Sequence, residues 1–229
     1  MIYWVVFIAL MIISMVVSQR LNKLFVSYEK ISTEGHLTGE EVAKKMLRDN
    51  DIYDVKVSCI QGQLTDHYNP VNKTLNLSQG VYYGTSVAAA AVAAHECGHA
   101  VQHAQGYAWL QMRSNMVPIV NFASKWVQWI LLAGVLVLSI LPHSTTLLWI
   151  GIILFGLTTL FSFVTLPVEI NASSRALAWL DRAGITSRQT HPKAQKALRL
   201  AAYTYVIAAL SSLATLLYYI SIAEGRSRD

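Results

Sequence analysis

Charged side chains are scarce in this 229-residue chain, since Lys, Arg, Asp and Glu together make up only 14% of it. An ordinary soluble domain contains about a quarter. Charge is missing altogether from residues 1–19, 126–168 and 200–223, whereas the rest of the chain has the charge density of a water-soluble domain. This distribution excludes a fully soluble single domain and a disordered chain. It indicates a membrane protein with one modest soluble body.

Cysteines and basic runs are also lacking. Cys59 and Cys97 are the only cysteines, which excludes a disulfide-stapled secreted module. The formal net charge is +5, but no basic run is long enough to indicate nucleic-acid binding. Lys and Arg collect in the cytoplasmic loops of membrane proteins for a topological reason. We therefore expect the lipid bilayer as a partner, and no nucleic acid.

Long hydrophobic runs predict about four transmembrane helices. Residues 1–19 are long enough to cross a hydrocarbon core of ~30 Å. They lack a basic first segment and a small-residue cleavage site, which favours an uncleaved anchor over a signal peptide. The 43-residue uncharged stretch is too long for one span, and residues 142–146 divide it into a predicted hairpin over 117–166. Residues 200–223 form the last predicted span.

The basic residues predict an orientation. They are concentrated in residues 20–116 and 167–199, which a four-span chain places on one side of the membrane. The positive-inside rule assigns that side to the cytoplasm. We expect a multi-pass protein of the cell membrane whose active site faces the cytoplasm. The oligomeric state has no signature in the sequence.

Residues 20–116 have the patterns of a small α+β body. Thr38 and Glu41 have the spacing of a capping box, and apolar residues follow at helical spacing (Val42, Ala43, Met46 and Leu47). Alternation over residues 54–60 and again over 74–78 predicts strands. A sheet and a capped helix therefore precede the segment that carries the chemistry.

That segment contains the pattern HExxH, formed by His95, Glu96 and His99. Residues four apart share one face of a helix, so both imidazoles can bind one zinc ion, and the glutamate can act as a base beside it. Ser86 or Thr85 can cap an alanine-rich helix that runs into the motif. Glu96 is the only charged residue between Lys73 and Arg113. A carboxylate in an apolar stretch is costly to bury unless a cation lies beside it, and a zinc ion would be that cation.

The third ligand is less obvious. His103 lies two turns beyond His95 on a continuous helix, about 12 Å along the axis, so the two residues cannot readily bind the same ion. We expect His103 to contact a metal ligand or to pack in the core. Cys97 faces elsewhere and is expected in the core. Glu169 ends the uncharged stretch and follows Pro167, where a new helix is expected to begin. It is either the third ligand or a carboxylate stabilised at a helix N-terminus.

At these residues the chain resembles the YugP-type neutral zinc metallopeptidases of bacterial membranes, and more distantly the HtpX and CAAX-prenyl endopeptidase gluzincins. The resemblance covers nearly the whole chain and is carried by these motifs: Thr38-Gly39, Asp66-His67-Tyr68-Asn69-Pro70, Leu77-Ser78, Val81-Tyr82, Ala93 to Gln102, and Leu166-Pro167-Val168-Glu169 with Ala172 and Arg175. It implies a small gluzincin-like α+β peptidase domain. It also implies that His95, His99 and Glu169 bind Zn²⁺ and that Glu96 is the general base.

The chain departs from the HtpX-like pattern in one place. Those enzymes carry an aspartate four residues after the ligand glutamate, where this chain has Ser173. The partner that orients a zinc-bound histidine is therefore open, with Asn171 and Arg175 as candidates. The resemblance further suggests that residues 74–78 form an edge strand that pairs with an extended substrate peptide. Several side chains are eligible to stabilise the oxyanion: His67, Tyr82, Tyr83, Arg175 and His191.

The sequence thus predicts a membrane-embedded zinc metalloendopeptidase that acts on peptide or protein substrates. Two alternatives are kept. An intramembrane site-2-type protease would place HExxH inside a long hydrophobic span and an aspartate in another span, neither of which this chain has. A non-catalytic zinc-bearing scaffold would have no need of Glu96, and structural zinc sites usually close with a fourth protein ligand.

Overall fold

The computed structural model describes residues 2–141 and 144–225. Met1 of the first predicted span, and Pro142 and His143 of the predicted turn, lie outside the described residues. The described chain contains four helices that are long and apolar enough to cross a membrane: α1 (Ile2–Tyr28), α5 (Ala108–Ile140), α6 (Thr146–Arg182) and α7 (His191–Gly225). The predicted helical membrane protein is thereby confirmed.

The first of two compact units combines residues 1–15, 112–166 and 205–229, as far as they are described. Its apolar core is formed by α5, α6 and α7, from Val127, Leu131, Leu138, Leu148, Ile152 and Ala223. Inside this unit the Thr159 and Ser212 hydroxyl groups lie 2.7 Å apart and link α6 to α7. Large apolar side chains such as Trp129 are exposed, which suits a lipid environment.

Helix α6 corrects one sequence-based expectation. A new helix was expected to begin at Pro167 and Glu169, but α6 continues through Pro167 to Arg182. Proline lacks an N–H to donate to the Phe163 carbonyl, yet this removes one helical hydrogen bond and the helix persists around it. Glu169 therefore lies inside a helix, and the interpretation that it is stabilised at a helix N-terminus is wrong.

The second unit, residues 16–111 and 167–204, contains the small sheet and the shorter helices. Helix α2 (Gly39–Arg48) begins with the predicted capping box, since Thr38 Oγ1 accepts from the Glu41 N–H and Glu41 accepts from the Thr38 N–H. The four predicted apolar residues of α2 are buried. The short helix α3 (Gln79–Tyr82) and the long helix α4 (Val87–Ala104) follow the sheet.

The sheet contains β1 (Lys56–Ile60), β2 (His67–Asn69) and β3 (Thr74–Ser78). Strand β3 lies in the middle, parallel to β1 and antiparallel to β2, with Tyr68 opposite Leu75. The expectation that residues 74–78 form an edge strand is therefore wrong. Within the described residues, β2 is the edge that faces α4. Its three residues are too few to produce an alternation pattern in the sequence.

Candidate metal centre

Helix α4 presents both histidines of the HExxH motif. Ser86 caps it by accepting from the Ala89 N–H, and the alanine run that follows favours helix. At Gly98 the α4 backbone meets the backbone of α6, because a Cβ placed there would lie 2.6 Å from the Ala172 carbonyl oxygen. This close approach positions the helix that carries Glu169 against the helix that carries His95 and His99.

The three residues predicted as ligands come together. Glu169 Oε2 lies 3.2 Å from His95 Nε2 and 3.7 Å from His99 Nε2. One candidate ligand atom from each residue can be chosen so that all lie within 4.8 Å of one another, which is a spacing that could hold a metal ion. Two imidazoles and one carboxylate are a donor set that zinc accepts in catalytic sites, with a fourth position left for water or substrate. The residues present therefore fit a zinc ion.

The centre is buried and electrostatically suited to a cation. Glu169 is 3% exposed, and Glu96 and His99 are each 8% exposed. Burial lowers the pKa of the His99 imidazole, but the nearby carboxylates of Glu169 and Glu96 outweigh burial and raise the pKa above the ordinary value. The two carboxylates, Glu96 and Glu169, thus favour a positive charge in this buried pocket.

Cys97 is not suited to bind the metal. Its side chain is fully buried and its thiol donates to the Ala43 carbonyl of α2 at 3.5 Å. Burial raises the pKa of the Cys97 thiol well above its usual range, so the thiolate that zinc requires is disfavoured. The prediction that Cys97 is a core residue is confirmed.

Glu96 is oriented by the sheet. Its Oε2 accepts the backbone N–H of Tyr68 at 3.0 Å, so the outward-facing amide of edge strand β2 holds the carboxylate of the motif. The Tyr68 hydroxyl lies 2.8 Å from His103 Nδ1. Tyr68 therefore ties β2 to α4 twice, through its backbone and through its side chain.

The two histidines have different partners at their other ring nitrogens. His95 Nδ1 lies 3.1 Å from Ser173 Oγ, and His99 Nδ1 lies 3.1 Å from Gln102 Oε1. Asn171 and Arg175, the candidates from the sequence, reach His99 only through Gln102: Asn171 Oδ1 accepts from Gln102 at 3.0 Å and from Arg175 Nε at 2.7 Å. Ser173, at the position where HtpX-like enzymes carry an aspartate, is thus itself in contact with His95.

The remaining predicted residues have these positions. His67, in β2, contacts the Thr65 carbonyl at 2.8 Å through Nδ1 and the Asn76 amide at 3.1 Å through Nε2. The Tyr82 hydroxyl bonds to Glu40 of α2, which raises the pKa of Tyr82 to about 12. His191 Nδ1 lies 3.0 Å from the Thr186 hydroxyl. Each of these three side chains therefore contacts residues other than the three candidate metal ligands.

Sequence reasoning assigned no role to two residues of this centre. Gln102 is fully buried, and Tyr68 supplies the N–H that holds Glu96. A signal for Gln102 was present, because an uncharged polar residue one turn after His99 is expensive to bury without partners. No pattern in the sequence marks the backbone of Tyr68, since its role depends on a pairing across 28 residues.

Four helices that could cross a membrane, together with two histidines and a glutamate that could hold zinc, agree with the class of membrane zinc peptidases. Comparison with known proteins shows the family. The family model described as "Putative neutral zinc metallopeptidase" matches residues 3–224, so the chain belongs to this family. "Putative membrane protease YugP" of Bacillus subtilis (strain 168) is 42% identical over 206 residues, which cover 90% of this chain and 89% of that relative. No solved structure matches the chain.

Proposed function

We propose that the protein is a zinc-dependent membrane endopeptidase in which His95, His99 and Glu169 bind the metal and Glu96 is the general base. The observation that carries the proposal is the convergence of these three ligand side chains. Glu96 lies next to His95 on α4, and the Tyr68 N–H holds its carboxylate. Membership of a zinc metallopeptidase family agrees with it. A scaffold that kept zinc only for stability would not require a buried, oriented Glu96.

When bound, zinc supplies a Lewis acid that polarises a peptide carbonyl and makes water more acidic. Glu96 accepts a proton from the attacking water, whose oxygen forms a bond to the carbonyl carbon. Glu96 then returns the proton to the leaving amide nitrogen as the C–N bond breaks. In the free protein the Tyr68 N–H holds one oxygen of Glu96 and so fixes the orientation of the carboxylate. The oxyanion donor is to be sought among His67, Tyr82 and Arg175.

We assign the substrate-pairing edge to β2, in place of residues 74–78. This edge adjoins Glu96, because the outward N–H of Tyr68 meets that carboxylate. An extended peptide beside β2 would replace Glu96 as the acceptor of the Tyr68 N–H and would lie next to the catalytic base, and backbone pairing tolerates many sequences. Glu169 comes directly after the 43-residue uncharged stretch, so we expect the substrates to be membrane proteins or segments close to the bilayer.

A zinc and cleavage measurement tests the function. The full chain, purified in detergent, loaded with zinc and freed of excess metal, is expected to keep about one zinc ion per chain and to cleave an unfolded polypeptide. Cleavage should occur at internal peptide bonds, as mass spectrometry of the products would establish. Retention of zinc without any cleavage would favour the scaffold, and no retained zinc would contradict the ligand assignment.

The cytoplasmic orientation of the site is part of the proposal, and a native cysteine allows a test. Cys59 of β1 is exposed, whereas Cys97 is buried. In intact cells that express the protein, a membrane-impermeant maleimide should leave Cys59 unlabelled, and labelling should appear once the membrane is opened. Cys59→Ser is the control that shows whether Cys97 contributes. Labelling of Cys59 in intact cells would reverse the orientation.

A further inference from the structure

Gln102 is a fully buried polar side chain that the proposed chemistry does not use. It lies one turn after His99 on α4, and its amide has three hydrogen-bond partners. Nε2 donates to the Val168 carbonyl at 2.8 Å and to Asn171 Oδ1 at 3.0 Å, while Oε1 lies 3.1 Å from His99 Nδ1. A buried amide with every partner in place has one stable arrangement.

The donors and acceptors around Gln102 fix the direction of its amide. The Val168 carbonyl can only accept a hydrogen bond. Arg175 can only donate, and its Nε meets Asn171 at 2.7 Å, so Asn171 must present its oxygen there. A reversed Gln102 amide would therefore place its oxygen against two other oxygens. Arg175 is itself held by Gln105 Oε1 at 2.6 Å, which anchors this end of the network.

The fixed amide determines where His99 carries its proton. Gln102 Oε1 can only accept, so the bond to His99 requires the proton on Nδ1. A neutral imidazole has one ring proton, so the lone pair is then on Nε2, which is the nitrogen 3.7 Å from Glu169. A metal ligand needs that lone pair. Without Gln102, the Glu169 carboxylate would attract the proton to Nε2 and favour the tautomer that does not bind metal.

We propose that Gln102 is a positioning residue that holds His99 in its metal-binding tautomer, and that Asn171 and Arg175 hold Gln102. The inference rests on the proposed function, because it concerns His99 as a metal ligand. His95 differs in this respect. The Ser173 hydroxyl can donate or accept, so its contact leaves the tautomer of His95 open.

The test compares Gln102→Met with wild type. Methionine keeps the length of the side chain and removes the oxygen that His99 needs. Zinc affinity, measured on the full chain in detergent by competition with a chromogenic chelator, should fall about 10- to 100-fold, the range for partners that orient a metal-binding histidine. In the metal-free chain, at a pH at which the His99 imidazole is neutral, ¹⁵N NMR of labelled histidines should show the His99 proton moving from Nδ1 to Nε2. The spectrum of His99→Asn identifies the signal.

Asn171 offers a matched pair of variants should Gln102→Met fold poorly. Asn171→Asp keeps the oxygen that accepts from Gln102 and Arg175, so its zinc affinity and its His99 signal should stay close to those of wild type. Asn171→Leu removes that oxygen, so zinc affinity should fall about 10-fold, the low end of the same range, because Val168 still holds Gln102. Thermal unfolding of the metal-free forms checks that each variant is folded.

The proposal is overturned if Gln102→Met binds zinc as tightly as wild type, or if affinity falls while the His99 proton stays on Nδ1. It is also overturned if Asn171→Asp loses as much affinity as Asn171→Leu. The NMR measurement uses the metal-free chain, so it tests the role of Gln102 separately from zinc binding. A wild-type chain that bound no zinc would contradict the proposed function alone.

Discussion

Glu96→Gln should lower the rate of peptide cleavage by about 10³-fold, within the 10²- to 10⁴-fold range typical of a general acid–base residue. Glutamine has nearly the shape of glutamate, and its amide oxygen can still accept the Tyr68 N–H that now meets Glu96 Oε2. The substitution therefore removes the basicity of the side chain and keeps its position. Steady-state cleavage of a fluorogenic peptide by the zinc-loaded chain measures the effect.

Zinc content distinguishes a catalytic loss from a loss of the site. Glu96 is outside the group of three ligand side chains, so Glu96→Gln should hold as much zinc as wild type. Glu34→Gln, at an exposed position, is the matched control and should retain full activity. Cleavage that survives in the zinc-loaded Glu96→Gln variant would show that another group acts as the base.

Glu169→Ala should weaken zinc binding by more than about 100-fold, because even the outer partners of metal ligands contribute about 10- to 100-fold to affinity. The substitution removes the carboxylate that lies 3.2 Å from His95 Nε2 and leaves two imidazoles, which are too few for a catalytic zinc site. Peptide cleavage should be lost together with the metal. Chelator competition on the purified chain gives the affinity.

An acidic residue on the same helix provides the comparison. Asp181 of α6 is exposed, so Asp181→Ala removes a carboxylate from α6 without touching the metal centre, and it should bind zinc as wild type does. Unchanged zinc stoichiometry and affinity in Glu169→Ala would refute the assignment of Glu169 as a ligand. The three-residue group at the centre would then have to bind metal through the histidines alone.

Local patterns predicted the elements that carry the site. The capping box at Thr38, the alternation at 74–78 and the helix through His95 and His99 depend on residues close in sequence, and each is present. Spacing therefore sufficed to place two candidate ligands and the candidate base on one helix. The family resemblance added Glu169, which residue patterns alone had left between two interpretations.

What the sequence missed depends on contacts between distant segments. Strand β2 is too short to produce a pattern, and only its pairing with β3 makes it a strand. A proline is expected at the start of a helix, yet α6 continues through Pro167. The helix on both sides persists although one hydrogen bond is missing. Gln102 meets Val168 across 66 residues, a distance over which neither periodicity nor spacing carries information.

The two positions that the notation HExxH leaves open are both constrained in this protein. Cys97 packs against α2 with its thiol on the Ala43 carbonyl, and Gly98 touches the backbone of α6 at Ala172. One open position thus fixes α4 to one neighbouring helix and the next fixes it to another. All five residues of the motif are therefore constrained. His95, Glu96 and His99 are constrained by chemistry, and Cys97 and Gly98 are constrained by steric fit.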